Sequence, residues 1–496
     1  MTRLTPRQLL LVLAICAALA LVSLHSITMR PVIKDAAQNL QMGIDVARDG
    51  TMSLEEVAPF KPSMYREPLP VVVDAAAVAL VDHLDGRSAS NAYFSGPRAR
   101  LVKLPNVLWV LLLWLAVFSA ARRFTGSYLL AVIAGLLAVK PFLSGEDGVD
   151  GLYTELPAVA LMTLSLNFLL ATETRRAAGW AVATGLGFGL LTLTKAATLY
   201  VFAFLVLVLA VASAVGWLWA DGRRRLAHLA LLIVSFGIVV TPWMLRNLQL
   251  FGHARISSRG GLVLYTRGLM DQVTPLEYRG TFYVWARPSI QRYLGALLGF
   301  SQRDLEQGGR LQRLSEDART SVYKHDVVAE AAGRPQAAIS FHRQARAERV
   351  RLETSYDHEG RAHPEVDADE SMQKEGMQLV KSHFGANLAL AMPLMWRGAP
   401  VIFPALLIAL VYALRAKRYA LALFVLPAFA TLVFYALATH FEPRPSLVAH
   451  SSAAVATIVL LQALWRWWYA GARQSAVARR AFAEYHQVRE REVPGE

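Results

Sequence analysis

The feature that most constrains this chain is a series of about ten apolar runs, each close to the length that a helix needs to cross a bilayer. They lie near residues 8–28, 103–121, 127–143, 153–172, 179–195, 197–219, 226–244, 399–414, 419–438 and 447–465. Of 496 residues, 55% are hydrophobic and only 18% are charged, which is too apolar for one soluble core. The sequence therefore predicts an all-α polytopic membrane protein with about ten transmembrane helices.

The formal net charge of +14 comes mostly from basic residues that lie between the apolar runs. Short loops rich in arginine and lysine belong on the cytoplasmic side of a membrane, so these residues indicate topology and not a nucleic-acid partner. With this rule both termini are predicted to be cytoplasmic. The basic positions used are Arg3 and Arg7, Arg122 and Arg123, Arg175 and Arg176, Arg223 to Arg225, Arg415, Lys417 and Arg418, and the tail from Arg466 onward.

This topology divides the chain into four parts. An N-terminal transmembrane module, 1–244, contains a first outer loop at 29–102, and a large outer segment follows at 245–398. The second segment is strongly polar, and stretches such as 326–353 predict a helical insertion. C-terminal transmembrane helices at 399–466 and a basic cytoplasmic tail at 467–496 complete the chain.

The apolar stretch from Leu69 to Leu84 is ambiguous, because it contains Asp74, Asp82 and His83 and charges at membrane depth are costly. We expect it to be an interfacial helix lying on the outer face, and not a span.

Several functional classes have no support in the sequence. Walker-type phosphate loops, HExxH zinc helices and GxSxG nucleophile motifs do not occur. The single cysteine, Cys16, gives neither a disulfide framework nor a thiolate metal site. Asp367 and Asp369 form an Asp-x-Asp pair that could hold a divalent metal beside a sugar phosphate, but a solvated acidic helix face is the favoured interpretation. No metal or other cofactor is expected.

Asp35 is the first candidate for chemistry. It follows the first apolar run directly, so its carboxylate would lie at the outer membrane face, within reach of a substrate carried by lipid. A carboxylate there could take the proton from an attacking hydroxyl as a general base. Taken alone, an acid next to a lysine at a helix end, as in Lys34 and Asp35, is more often a solvated interfacial ion pair.

A series of short motifs in a fixed order favours the catalytic interpretation of Asp35 over the solvated ion pair. The motifs comprise Asp35, Gly50, Tyr65 to Leu69, Leu104 and Pro105, Arg122 and Arg123, Thr154 and Glu155, Gly185, Gly187 and Gly189, Leu193 to Lys195, Thr241 to Trp243, Arg246 and Asn247, Gly252, Gly260 and Gly261, Tyr265, and Glu442 to Arg444. Together they resemble the GT-C-fold glycosyltransferases that use polyprenyl-phosphate sugars, near the lipid A aminoarabinose transferase and protein O-mannosyltransferase branches. The resemblance covers most of the membrane region and little of 270–370, and Pro445 departs from the Arg-Tyr usual after Glu-Pro.

The resemblance implies roles for individual residues. Asp35 maps onto the proposed catalytic base. Lys195, Arg246, Arg267 and Arg444 map onto cations that would hold the donor phosphate, although basic side chains at span ends also snorkel to the interface. Possible substrate-positioning residues are Tyr65, Arg66, Glu67, Glu155 and Tyr265. For Glu67 the alternative is an ion pair with Arg66, and for Glu155 a helix cap or an ion pair.

The function expected from the resemblance is transfer of a sugar from a polyprenyl-phosphate donor to a lipid, glycan or protein acceptor at the periplasmic face of a bacterial inner membrane. A single displacement would invert the anomeric configuration. The alternative is a transporter or flippase of lipid-linked saccharides, which needs the spans and the outer cations but no base. A non-catalytic export or assembly subunit is the least favoured interpretation.

Overall fold

The computed structural model describes residues 5–55, 59–144, 147–172, 177–215, 222–440 and 443–469, and all regular elements among them are helical. The α-helices are α1 Pro6–Ser26, α2 Lys34–Asp49, α3 Pro68–Asp85, α4 Pro97–Val102, α5 Pro105–Thr125, α6 Tyr128–Val139, α7 Glu155–Ala171, α8 Ala177–Thr194, α9 Thr198–Ala214, α10 Gly222–Phe251, α11 Gly260–Met270, α12 Pro275–Val284, α13 Pro288–Leu298, α14 Ser321–Ala331, α15 Phe341–His358, α16 Pro364–Ser382, α17 Phe384–Gly398, α18 Ile402–Arg415, α19 Tyr419–Ala438 and α20 450–469. The all-α prediction is therefore confirmed for the described part of the chain.

Each of the ten predicted apolar runs is helical over most of its described length, but not all of these helices are long. Within the described residues, six helices have the length and apolar composition to cross a membrane: α1, α4 with α5, α8, α10 from Leu226, α19 and α20. The pair α17 and α18, bent by 108°, gives a seventh if it is one broken span, while α6, α7 and α9 are shorter. The chain is a multi-pass membrane protein, and the count of about ten spans stays a prediction.

Some predicted features lie outside the described residues. These are the loop arginines Arg175 and Arg176, the acid Glu442, the N-terminal Arg3 and the tail from residue 470 onward. The described end of α20 carries Trp465, Trp467, Trp468 and Tyr469, all exposed, as expected of an aromatic belt at a membrane surface.

The close packing of α8 against α7 and α10 explains its glycines. A Cβ atom at Gly185 would lie 2.0 Å from Ser235 Oγ of α10, and one at Gly187 would lie 2.2 Å from Ser165 Oγ of α7. Gly189 again faces α10, where an added Cβ would lie 2.7 Å from Val239. Small residues let membrane helices approach backbone to backbone, so α8 is clamped between two neighbours on alternate faces. This fixes where its last residue, Thr194, and the following Lys195 lie.

The first outer segment forms a helix pair. α2 and α3 pack together around Leu40, Ile44 and Val78, and Gly43 of α2 approaches α3 so closely that a Cβ would lie 2.8 Å from Asp74 Cβ. The observed α3 matches the stretch predicted at 69–84 and is not among the helices that pass as spans. Its interfacial placement stays a prediction.

The segment 245–398 is helical, as predicted, with one break inside the stretch 326–353. α14 ends at Ala331 and α15 begins at Phe341, because Gly333 has a positive φ of 56° and Pro335 cannot continue the helix. α11, α15 and α16 pack against one another, and a Cβ at Gly261 would lie 1.8 Å from the Asp369 carbonyl oxygen.

Lys103 ties together the bundle end at which α1 ends and α5 and α7 begin. Its fully buried ammonium donates to the carbonyl oxygens of Thr28 (3.2 Å) and Arg30 (3.0 Å) and to Asp150 Oδ1 (2.9 Å). Asp150 also accepts from the backbone N–H and the hydroxyl of Thr28. The contacts hold the chain immediately before α2 in a fixed position.

Replacing Lys103 by methionine is expected to destabilise the protein by about 3–5 kcal/mol, because the buried carboxylate of Asp150 loses its cation. Thermal unfolding of the purified protein in detergent measures the change. The exposed Lys61, changed to methionine, serves as the control and should leave the unfolding temperature nearly unchanged. A Lys103→Met protein as stable as the wild type would contradict this role.

Candidate active site

Asp35 lies in the first turn of α2, directly after the loop that Lys103 holds. A carboxylate in the first turn is favoured by the partial positive charge of the helix N-terminus. The side chain is about one-third exposed, so it is open to a ligand from one side.

Three arginines from distant parts of the chain surround the Asp35 carboxylate. Arg66 donates to Oδ1 at 2.6 Å, while Arg259 and Arg444 lie 3.5 and 3.4 Å from Oδ2. Burial alone would raise the pKa of Asp35, but the positive charges of Arg259, Arg66 and Arg444 outweigh burial and hold the pKa well below its usual range. Asp35 is therefore ionised at neutral pH.

Tyr65 is the centre of a second group of cations. The guanidinium carbons of Arg349, Arg259 and Arg66 lie 4.7, 5.3 and 5.4 Å from the centroid of its ring. Burial would raise the pKa of Tyr65, but these charges outweigh burial and lower it. Arg349 Nε also donates a hydrogen bond to Glu353 Oε1 at 2.6 Å.

Each of these three guanidinium groups has an N–H donor without a hydrogen-bond acceptor among the described residues. Arg66 Nε, Arg259 Nε and Arg349 Nη1 are buried and have no hydrogen-bond acceptor within the part of the chain that the structure describes. Buried donors without acceptors are costly and uncommon in folded proteins. An anion with several oxygens, such as a phosphate, would supply the missing acceptors.

Lys195 and Glu155 form a buried ion pair at the adjoining helix ends. Lys195 Nζ lies 3.0 Å from Glu155 Oε1, so the predicted pairing of Glu155 with a cation is observed. Glu67 accepts from the Ala196 backbone N–H at 3.4 Å and not from Arg66, whose partners are Asp35 and Gln38. The alternative ion pair of Glu67 with Arg66 is therefore wrong.

Arg444 reaches Asp35 despite the unusual proline that follows it. Its guanidinium carbon also lies 4.7 Å from the centroid of the Tyr153 ring. The residue comes from the start of a 3₁₀ turn, Arg444–Ala449, that leads into α20. The predicted site thus includes a residue more than 400 positions away from Asp35 in the chain.

Arg246 lies beside this group without contacting Asp35. It donates to Asn247 Oδ1 at 2.8 Å and to the Ser63 carbonyl oxygen at 3.5 Å, and its guanidinium stacks on Trp243. These contacts link the end of α10 to the loop that carries Tyr65 and Arg66.

The structure places Arg267 and Tyr265 away from Asp35. Arg267 is fully buried, pairs with Asp271 and donates to the carbonyl oxygens of Ala436 (3.0 Å) and Asn387 (2.7 Å). It therefore joins α11 to α17 and α19. Tyr265, in α11, packs against α16, where burial and Glu375 raise its pKa.

The two carboxylates of the Asp-x-Asp pair, Asp367 and Asp369, contact different parts of the protein. Asp369 is buried and accepts from the N–H groups of Gly261 (2.9 Å) and Leu262 (3.2 Å) at the start of α11, while Asp367 lies 3.5 Å from Arg361. No cluster of three or more His, Cys, Asp or Glu side chains suited to a metal occurs within the described ranges.

Two site arginines were missed by sequence reasoning. Arg259 directly precedes the Gly260 and Gly261 motif, so its position beside a recognised motif was an available signal. Arg349 is one of several arginines in the polar helix α15, and nothing in the sequence sets it apart.

Comparisons with known proteins give structural similarity only. No family model and no curated protein matches the chain. Among solved structures it is similar to ArnT from Cupriavidus metallidurans in the apo state, with 15% identity, a TM-score of 0.36, and coverage of 91% of this chain and 77% of that one. The same enzyme bound to undecaprenyl phosphate matches with 15% identity, a TM-score of 0.36, and coverage of 90% and 77%.

A further similarity is to the archaeal oligosaccharyltransferase AglB from Archaeoglobus fulgidus, in complex with an inhibitory peptide and a dolichol-phosphate. The identity is 14% and the TM-score 0.45, and the match covers 96% of this chain but only 54% of AglB. The chain thus spans about half the length of AglB.

Proposed function

We propose that this protein is an integral membrane glycosyltransferase that moves a sugar from a polyprenyl-phosphate donor to an acceptor at the outer face of the membrane. The observation that supports this most directly is the group of buried arginine donors without acceptors beside the Asp35 carboxylate. Such a transfer requires a binding site for the anionic phosphate and a general base close to each other. The ordered sequence motifs that resemble GT-C glycosyltransferases support the same function.

The donor phosphate would bind between Arg259, Arg349 and Arg444. Arg259 and Arg444 lie 3.5 and 3.4 Å from Asp35, so a phosphate bound between them would lie close to the proposed base. Lys195 would add a further positive charge from the end of α8. Arg267 is not part of this proposal, because its donors are used within the protein core.

The reaction would be a single displacement at the anomeric carbon. Asp35 takes the proton of the acceptor hydroxyl as its oxygen forms a bond to that carbon. The bond from the anomeric carbon to the phosphate oxygen breaks, and its electron pair leaves with the polyprenyl phosphate. Fixed cations stabilise the negative charge that develops on the leaving phosphate. When the phosphate engages Arg259 and Arg444, Asp35 loses part of its cationic surroundings and becomes a stronger base.

The setting of this reaction is part of the same proposal. With short basic loops inside, the cluster around Asp35 would face the periplasm of a bacterial inner membrane. The acceptor would be a lipid, a glycan or a protein that reaches the membrane surface.

The test is a reaction in reconstituted vesicles. The purified protein would be incubated with undecaprenyl-phosphate sugars and envelope lipids extracted from its own cells, and the products followed by mass spectrometry. We expect undecaprenyl phosphate to be released as a glycosylated acceptor appears with inverted anomeric configuration. Movement of the intact lipid-linked sugar across the vesicle membrane without cleavage would instead establish a transporter.

Transfer is expected to proceed without a divalent metal, because guanidinium and ammonium groups would stabilise the leaving phosphate. Adding EDTA to the vesicle reaction should leave the initial rate within about twofold of the untreated rate. An EDTA-treated sample to which excess Mg²⁺ is returned is the control for unspecific effects. Loss of activity with EDTA and recovery with Mg²⁺ or Mn²⁺ would contradict this prediction.

A further inference from the structure

Helix α13 presents an apolar face that the rest of the described protein does not cover. Ile290, Tyr293 and Leu297 lie three and four residues apart, so they share one face of the helix. Their exposed fractions are 39%, 75% and 79%, and Leu297 is the most exposed of the large apolar side chains that the structure describes. Exposed apolar surface that is contiguous marks an interaction site, whereas single exposed apolar side chains do not.

The opposite face of α13 is fixed by close packing on α12. A Cβ atom at Gly295 would lie 2.7 Å from the Phe300 carbonyl oxygen and 2.9 Å from the Tyr283 ring. The rings of Tyr283 and Phe300 stack with their centroids 6.1 Å apart, and the Phe300 N–H donates to the Gly295 carbonyl oxygen at 2.8 Å. Because Gly295 faces α12, Tyr293 and Leu297 on the other side of the helix are directed away from it.

Helix α13 begins next to the helices that lead this segment into the membrane. α12 runs along α17, where the Tyr278 hydroxyl donates to the Ala389 carbonyl oxygen at 3.5 Å and the Arg397 guanidinium carbon lies 5.3 Å from the centroid of the Trp285 ring. Trp285 directly follows α12 and lies just before α13, while Arg397 lies at the end of α17, just before α18. α17 and α18 together have the apolar composition of one broken span, and Val401 between them is 68% exposed. A lipid surface around the start of α18 would therefore lie close to the start of α13.

The charges on α13 complement a lipid surface. Arg287, at the N-cap, and Arg292 are both exposed, and the helix contains no acidic residue. Arginines beside an apolar helix face are typical of helices that lie in the headgroup region, where lipid phosphates surround the cations and a tyrosine is favoured. With 11 residues, α13 is too short to cross a bilayer.

We propose that α13 is a membrane-binding helix that anchors the polar segment 245–398 to the lipid surface next to it. Ile290, Tyr293 and Leu297 enter the adjoining leaflet, and Arg287 and Arg292 contact lipid phosphates. The anchor limits the movement of the segment relative to the spans. This role does not depend on the reaction that the protein catalyses.

A second copy of the chain fits this face less well than lipid does. In a twofold-symmetric dimer the same patch lies on both sides of the interface. The exposed Arg287 and Arg292 of the two copies would then approach one another, with no acid of α13 to pair with them. Like charges that face each other across an interface are unfavourable, whereas a layer of lipid phosphates satisfies both arginines.

The experiment places a fluorescent probe on α13 in the full-length protein. Cys16, the single cysteine, is changed to alanine, and Leu297→Cys then gives one site for the environment-sensitive label NBD. The labelled protein is reconstituted into vesicles of phosphatidylcholine and phosphatidylglycerol, with and without doxyl-labelled lipid, which quenches only probes in contact with lipid. Lys374→Cys is the control, because the side chain of Lys374 is charged and 73% exposed. The Leu297→Cys protein is also prepared with Ile290→Asp and Tyr293→Asp, since the label itself is apolar.

We expect the label in Leu297→Cys to emit at shorter wavelength than in Lys374→Cys and to lose fluorescence with doxyl lipid. The two aspartate substitutions should move its emission back toward that of the control and remove the quenching. Emission at short wavelength without quenching would mean that protein covers the face and would overturn the proposal, as would emission typical of water. Equal quenching at both positions, or quenching that persists with the aspartates, would assign lipid contact to the label and also overturn it.

Discussion

Replacing Asp35 by asparagine is expected to lower the rate of sugar transfer by about 100-fold to 10,000-fold, the range that general-base catalysis usually contributes. Asparagine keeps the shape of the side chain but cannot take a proton. It also leaves the surrounding arginines with one negative charge fewer, so binding of the donor phosphate should be retained or become tighter. The measurement is kcat and KM in the vesicle reaction.

The pH dependence of the activity lost in Asp35→Asn gives a second test of Asp35 as the base. Because Arg259, Arg66 and Arg444 hold the pKa of Asp35 well below its usual range, the carboxylate is ionised throughout about pH 5–9. The stability that it contributes is present above the unfolded-state pKa and is lost only in strong acid, as the pH falls through the lowered pKa. The deficit of Asp35→Asn should therefore be constant across that neutral range.

The control for Asp35→Asn is Asp49→Asn, at the opposite end of α2. It makes the same chemical change on the same helix, away from the arginine group, and should retain nearly full activity. Full activity in Asp35→Asn would remove Asp35 as the base. A large rise in KM with unchanged kcat would assign it to holding the arginines in place.

Replacing Arg259 by glutamine is expected to weaken donor binding by about 10-fold to 150-fold, because a charge-assisted hydrogen bond contributes about 1.5–3 kcal/mol. Arg259 contacts Asp35 and the Tyr65 ring and has a buried N–H without an acceptor in the described structure. A donor phosphate would complete that contact. The measurement is the affinity of the purified protein for undecaprenyl phosphate, compared with the wild type.

Arg255 offers a closely matched control for this variant. It lies four residues earlier, and its side chain is 29% exposed against 30% for Arg259, but its ionic partner is Asp369 at 3.9 Å. Arg255→Gln should bind undecaprenyl phosphate nearly as well as the wild type. Equal losses in both variants would indicate that only the overall positive charge matters and would contradict a specific role for Arg259.

Much of the helical architecture was predictable, because it depends on local patterns. The long apolar runs are helical since a backbone in lipid must satisfy its own hydrogen bonds. α3 was predicted within one residue at each end from its apolar pattern and its flanking residues. The break between α14 and α15 was missed, although Gly333 and Pro335 are local signals that such a break leaves.

The candidate site was predictable only in part. Asp35, Lys195 and Arg444 were found because each belongs to a short motif beside a span end. Arg267 was selected by the same reasoning, yet its side chain turns into the core and pairs with Asp271. Arg259 and Arg349 were not selected, yet both reach Tyr65: Arg259 lies directly before a recognised glycine motif, and Arg349 lies in a helix without one.

The sequence by itself determined that this is a helical, multi-pass membrane protein with an acid directly after its first span, because hydrophobic length and helix periodicity act over neighbouring residues. Only the tertiary structure decided which arginines meet that acid. Arg66, Arg259 and Arg444 come from three separate segments, and the direction of each side chain depends on close packing such as that of Gly43 on α3 and of Gly261 on α16. Such contacts join residues distant in the chain, so no local pattern records them.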